Sequence, residues 1–264
     1  MLLLLPSADT QTRQSPLVAP TGTRIPAPVA ITKVTDAAGR TCIVAIEITD
    51  AGRALPLPTR DKPVYCLTHA MSLPDIGDAY DSTKPISSSD FKKQFDTALA
   101  SSRYRPADPA DTKHPPIQLL ILTWGLHNKI ELSAHDTANA SDYANLLLSR
   151  AKILGGRKFA NEYAQALTEN DMKRFSTRDD ITRTLDHEIW NDCHYLLVTS
   201  LDVEALKRNE RKILWTMTIS TIPQNRSLAA PLPILLDTAA KFLGRETPPK
   251  PAKPTIPPKG PPPS

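Results

Sequence analysis

Glycine is scarce in this chain, nine in 264 residues, and none is arranged as Gly-x-Gly-x-x-Gly, a Walker loop or a Gly-x-Ser-x-Gly elbow. Backbone cradling of a phosphate and strained display of a nucleophilic serine both need such glycines, so dinucleotide binding, P-loop chemistry and the hydrolase elbow lack support. Aromatic residues make up 5% of the chain, which leaves few platforms for stacking bases. The three cysteines, Cys42, Cys66 and Cys193, are odd in number and far apart, which excludes a dense disulfide framework and a zinc ribbon. No stretch approaches roughly eighteen consecutive apolar residues, so no transmembrane segment is expected.

Proline is abundant instead, with 26 residues, and it is concentrated at the end of the chain. From Pro248 to Ser264, prolines recur at 248, 251, 254 and 257 and lysines at 250, 253 and 259. A polyproline II helix has three residues per turn, so this register predicts one edge of proline and one of lysine. The tail holds three lysines and no acid, and removing it from a net charge of +4 leaves +1 on residues 1–247. The body therefore carries no charge signature for nucleic acid. A stiff basic spacer reaching an anionic surface or another envelope protein is the expected partner contact of residues 247–264.

The opening Met1-Leu2-Leu3-Leu4-Leu5-Pro6 resembles the end of a signal-peptide apolar region, although it lacks a charged start and falls short of the usual roughly seven to fifteen residues. Residues 1–28, with Pro16, Pro20, Pro26 and Pro28 among small polar residues, read as an irregular leader. A periplasmic or secreted location is expected, with the cytoplasm as the alternative.

Ordered structure is predicted from Val29. Residues 29–35 and 41–48 are β-rich and flank Asp36-Ala37-Ala38-Gly39-Arg40, a hairpin pattern. Residues 64–69 read as a strand, followed by a polar loop with Asp75, Gly77, Asp78, Asp81 and Pro85. A helix is predicted from Ser88 or Ser89, with Phe91, Phe95, Ala98 and Leu99 on one face. Residues 117–124 are nearly all apolar, which predicts a central strand covered on both faces, with Gly125 turning the chain and Leu126-His127-Asn128 leaving the sheet. Helical spacing runs from Ser141 to Leu167 with a break at Gly155-Gly156, and again over 177–190. Strands are predicted at 195–201 and 213–220, the second with Trp215, Met217 and Ile219 on a dry face and Thr216, Thr218 and Ser220 on a wet one. A last helix begins near Ser227 or Pro231 and ends at Gly244.

These elements predict one α+β domain over residues 29–246, a mixed sheet of five to six strands with a helical insertion at 138–191 and a C-terminal helix. Strands 64–69 and 117–124 should be parallel, joined by the helix between them, and the last two strands antiparallel.

The chemistry is sparse. Cys66 and His69 are three residues apart on a strand and so face opposite sides, which defeats a Cys-His dyad. Cys42 and Cys66 are in phase with apolar neighbours and read as core thiols. His187-Glu188-Ile189-Trp190-Asn191 approaches the zinc-protease pattern but has Asn191 in place of the second histidine, so a solvated acidic face with Asp179, Asp180, Asp186, Glu188 and Asp192 is the reading preferred. No metal or cofactor is expected. Trp124, Gly125, His127 and Asn128 are the candidate ligand-binding residues, because they follow the carboxyl end of the central strand, where open sheets place ligands.

The blocks Pro116 to Asn128, Gly155-Gly156-Arg157-Lys158-Phe159-Ala160, Tyr195 to Asp202 and Arg211 to Thr216 resemble, in this order, an uncharacterised family of exported proteins from verrucomicrobial bacteria. The resemblance spans about residues 60–245. It implies export and a compact α+β domain, and no activity. The first functional expectation is a non-catalytic binding or scaffolding protein of the cell envelope. The alternative is a hydrolase centred on His127 and Asn128, with a carboxylate from Asp75, Asp78 or Asp202.

Overall fold

The computed structural model describes residues 29–35, 39–56, 58–59, 61–72, 86–100, 102–108, 111–130, 140–222 and 231–245. The expected leader, the Pro/Lys tail, and Asp75 and Asp78 lie outside the described residues.

Alternating and apolar runs produce the strands where the sequence places them. The first two, β1 (Val29–Thr35) and β2 (Thr41–Ile48), form the expected antiparallel hairpin. A short helix α1 (Asp50–Arg53) follows, capped by Thr49, and then β3 (Val64–Ser72). The next helix, α2 (Ser88–Ala100), buries Phe91, Phe95 and Leu99, the stripe seen in the sequence. Its cap is one residue earlier than expected: Ser87 Oγ accepts the Asp90 amide proton at 3.1 Å and donates to the Asp90 carboxylate at 2.7 Å.

After α2 come a three-residue strand β4 (Tyr104–Pro106) and the long β5 (Gln118–His127). The helical insertion is α3 (Ala140–Thr168), α4 (Met172–Thr177) and α5 (Asp180–Trp190). The chain returns through β6 (Cys193–Asp202), α6 (Val203–Lys207), β7 (Ile213–Thr221) and α7 (Leu232–Phe242), with Gly244 at φ 62° ending the last helix.

The fold is α+β, with a mixed open sheet ordered β1-β2-β7-β6-β5-β3-β4. Among the described residues seven strands replace the expected five to six, because β4 is too short to leave a periodic signal; it adds to the outer edge of β3 over Val64 to Cys66. The β3–β5 pair is parallel with α2 between them in sequence, and β6–β7 is antiparallel, as predicted.

Two cores lie on opposite faces. On one, α2 and α7 cover the sheet over Val44, Ile46, Val64, Cys66, Leu120, Leu122, Trp124, Val198 and Met217. On the other, α3, α4 and α5 pack over β1, β2, β7 and the start of β6, with Ile43, Cys193 and Tyr195 as the sheet's share. Among the described residues the second layer stops short of β3 and most of β5. Leu119 and Ile121 on that face are half-buried, so β5 is not covered on both faces as its apolar run suggested.

Candidate functional site

The four residues expected to form a site end up in different environments, because β5 does not stop at Trp124. It pairs with β6 through Gly125, Leu126 and His127, so the expected turn at Gly125 is absent. The glycine is needed for space instead. A Cβ there would lie 2.5 Å from the hydroxyl of Tyr195, its direct cross-strand partner. Trp124 points to the other side of the sheet and stacks on Phe91, with ring centroids 3.9 Å apart and planes 3° from parallel.

His127 faces the helical insertion, fully buried, 4.6 Å from the Tyr195 ring. Neither ring nitrogen has a hydrogen-bond partner among the described residues. Burial, reinforced by the nearby Arg150 cation, pushes its pKa down to about 3, so the ring is neutral over the physiological range. Asn128, also buried, serves through its backbone carbonyl, which accepts from Arg150 Nη2 at 2.8 Å. The other guanidinium arm, Nη1, donates to the Ile189 carbonyl in the last turn of α5, also at 2.8 Å. Arg150, with 0% exposure, thus pins the end of β5 to the C-terminus of α5, where a cation suits the helix dipole.

Asp202, the one described carboxylate of the three proposed to serve His127, stands opposite Gln118 at the other end of β5. Nine residues of strand separate that pair from His127–Cys193, about 30 Å. Asp202 caps α6 by accepting the Glu204 and Ala205 amides and pairs with Lys212 at 3.0 Å.

The face of α5 read as solvated is part buried. Glu188 is 1% exposed and accepts from Ser220 Oγ at 2.6 Å, and Asp186 accepts from the Tyr163 hydroxyl at 3.3 Å. Glu188 was misread because the charges around it suggested an outward face, while Leu185 and Ile189 roll it against β7. Burial raises its pKa to about 7, an effect the Ser220 hydrogen bond partly offsets. All three cysteines are buried free thiols, as expected for core residues, and burial lifts Cys66 to about 12. No cluster of three or more His, Cys, Asp or Glu able to hold a metal is found among the described residues.

What the structure does build is a groove that the sequence did not signal as a site. Gly156 takes φ 78° and ψ −178°, and kinks α3. Along one face of α3, at helical spacing through the kink, Ser149, Lys152, Ile153, Gly156 and Arg157 form a wall. The floor is the sheet, with Glu47, Leu197, Thr199, Thr216 and Thr218, and the groove holds about 370 Å³. Lys152 and Arg157 are exposed, and neither takes part in an ion pair among the described residues.

The floor continues past β6 onto the part of β5 and β3 that no described helix covers. The cross-strand rows are Met71–Thr123–Leu197, His69–Ile121–Thr199 and Leu67–Leu119. Leu67 is 36% exposed, Met71 41% and Ile117 44%, and none of them belongs to either core. Thr216 and Thr218 of β7 are the one sequence signal of this floor, but the face expected to be wet is mostly dry: Thr218 and Ser220 are buried, because α3 and α5 lie over that side of the strand. The wall was invisible, because a helix break in sequence does not say which strand it stands above.

No family model matches the chain, and no curated protein matches it in sequence. Among the described residues no helix is long and apolar enough to cross a membrane.

Proposed function

We propose that this is a non-catalytic binding or scaffolding protein of the bacterial cell envelope, and that its partner lies on the open half of the sheet. The observation that carries the reading is the uncovered apolar strip on the parallel β3–β5 pair. Parallel strands are normally covered on both faces, and among the described residues α2 covers this pair on one face while no helix packs over most of the other. Exposed apolar residues that are contiguous, and continuous with a groove, mark an interaction surface, whereas scattered ones need no explanation. Three further observations favour binding over hydrolysis. His127 is sealed from solvent with its pKa far below the range a general base needs, Asp202 is a strand's length away, and the thiols are buried. The envelope assignment rests on the resemblance to exported proteins and on the basic, proline-rich tail.

The test is the double variant Leu67→Asp/Met71→Asp in the native host. Both positions are exposed, so urea unfolding should stay within about 0.5 kcal/mol of the parent, while co-fractionation with the envelope partner is lost. A variant that fractionates as the parent does would overturn the reading.

A further inference from the structure

We infer that the groove between α3 and the sheet is a binding site for a small anionic polyol, a sugar-like molecule that bears a carboxylate or a phosphate. This site lies over β2, β7 and β6 and is separate from the apolar strip on β5 and β3.

Strand register orders the floor. Glu47, Thr216 and Thr199 stand directly opposite one another on β2, β7 and β6, and Ala45, Thr218 and Leu197 form the next row. The first row is a polar line two strand spacings long, about 9.6 Å, with a carboxylate at one end. Among the described residues Glu47 makes no ion pair, and the hydroxyls of Thr199, Thr216 and Thr218 make no hydrogen bond. Thr218 is the sharpest case, since it is only 5% exposed and lines the groove. A hydroxyl at that depth ordinarily has a partner, and this one is answered from the groove side.

The wall supplies the opposite charge. Lys152 and Arg157 lie on either side of the kink at Gly156, both exposed, and no ion pair joins either of them to Glu47 although all three line one groove. The φ of 78° and ψ of −178° at Gly156 belong to a region essentially confined to glycine, and backbone held in such regions clusters at ligand clamps. The groove therefore keeps two cations on its wall and one anion on its floor without letting them neutralise each other.

That separation selects the ligand. An anionic group answers Lys152 and Arg157, while Glu47 repels a second one, so the rest of the molecule has to donate hydrogen bonds without adding negative charge. Hydroxyl groups do this, donating to Glu47 and both donating to and accepting from the threonines. An apolar acid would leave those polar groups desolvated and unpaired. No aromatic side chain lines the groove among the described residues, so a nucleobase has nothing to stack on. The volume of about 370 Å³ is at the small end of ligand pockets and suits a single compact molecule.

The test titrates the full chain at fixed ionic strength with glucuronate, glucose 6-phosphate, neutral glucose and aspartate, and follows backbone amide NMR shifts. Glucuronate or glucose 6-phosphate should give saturable shifts at Gly156, Thr199, Thr216 and Thr218, the tighter of the two identifying the anion as carboxylate or phosphate. Glucose should bind at least about tenfold more weakly, for want of the charge-assisted hydrogen bonds. Lys152→Ala/Arg157→Ala, at exposed positions, should weaken the tighter sugar by about tenfold, and Glu47→Gln should do the same from the other end, with spectra elsewhere matching the parent. Absence of saturable groove shifts with both anionic sugars, glucose binding as tightly, aspartate binding more tightly, or an affinity unmoved by Lys152→Ala/Arg157→Ala would each overturn the inference. Leu67→Asp/Met71→Asp should leave these titrations unchanged, so the fate of this site is independent of the partner on the strip.

Discussion

Glu188 is where burial and charge conflict most directly. The carboxyl is held against Ser220 under α5, and its pKa is raised from the ordinary 4.5 to about 7. A raised acid pKa means the folded state retains a proton that the unfolded chain releases, so stability falls as pH climbs from 4.5 towards and past 7. The shift corresponds to roughly 3 kcal/mol when fully expressed. Glu188→Gln keeps an acceptor for Ser220 and cannot ionise. Unfolding free energies from urea titration should therefore coincide for variant and parent near pH 4 and separate by about 1–3 kcal/mol at pH 8, the variant being the more stable; coincidence at pH 8 would show that water reaches this carboxylate. Gly125 is a second single-residue test. A methyl group there would lie 2.8 Å from Tyr195 Cζ, and the overpacking should cost about 1–3 kcal/mol for Gly125→Ala in thermal or urea unfolding. Neither effect is legible in the sequence, since both depend on the partner across a strand or beneath a helix.

At the scale of elements, the kink in α3 sets the groove wall. With φ 78° and ψ −178°, Gly156 occupies a region essentially confined to glycine, so Gly156→Ala should lose about 1–3 kcal/mol of stability. The same change should re-aim Lys152 and Arg157, seen as altered NMR shifts at Thr216 and Thr218 on the facing floor. Unchanged shifts with full stability would mean the kink has another cause. The α2 cap is a milder case: Ser87→Ala removes the Asp90 amide's acceptor, and a loss of about 1 kcal/mol is expected by urea unfolding. Elements with several periods of pattern were legible, among them the β1–β2 hairpin, α2, α3 with its glycine break, β7 and α7. Those with less than one period, α1, β4 and α6, were not, because three to five residues carry no periodicity and owe their place to neighbours. The end of β5 was misplaced for a related reason. A glycine after an apolar run signals a turn, but here Tyr195 fills the space over Gly125 and β6 continues the ladder to His127.

For the whole molecule, deleting residues 248–264 removes three of the four net positive charges and a stretch rich in proline. Differential scanning calorimetry should give an unchanged melting temperature for the truncated chain, while its partition between soluble and envelope fractions shifts; a large fall in melting temperature would show the tail packed on the body. Composition and periodicity by themselves determined the fold class, the order of the long elements, the parallel β3–β5 pair, the antiparallel β6–β7 pair and the burial of Cys42 and Cys66. Those properties follow from which residues share a face, and a face is a local repeat of two or 3.6 residues. Only the tertiary structure decided that His127 and Asn128 are buried beside Arg150, that Glu188 is buried, and that α3 stands over β7 and β2 and, among the described residues, leaves β3 and most of β5 uncovered on that face. Which surface a helix covers depends on packing between residues far apart in the chain, and no local pattern encodes it.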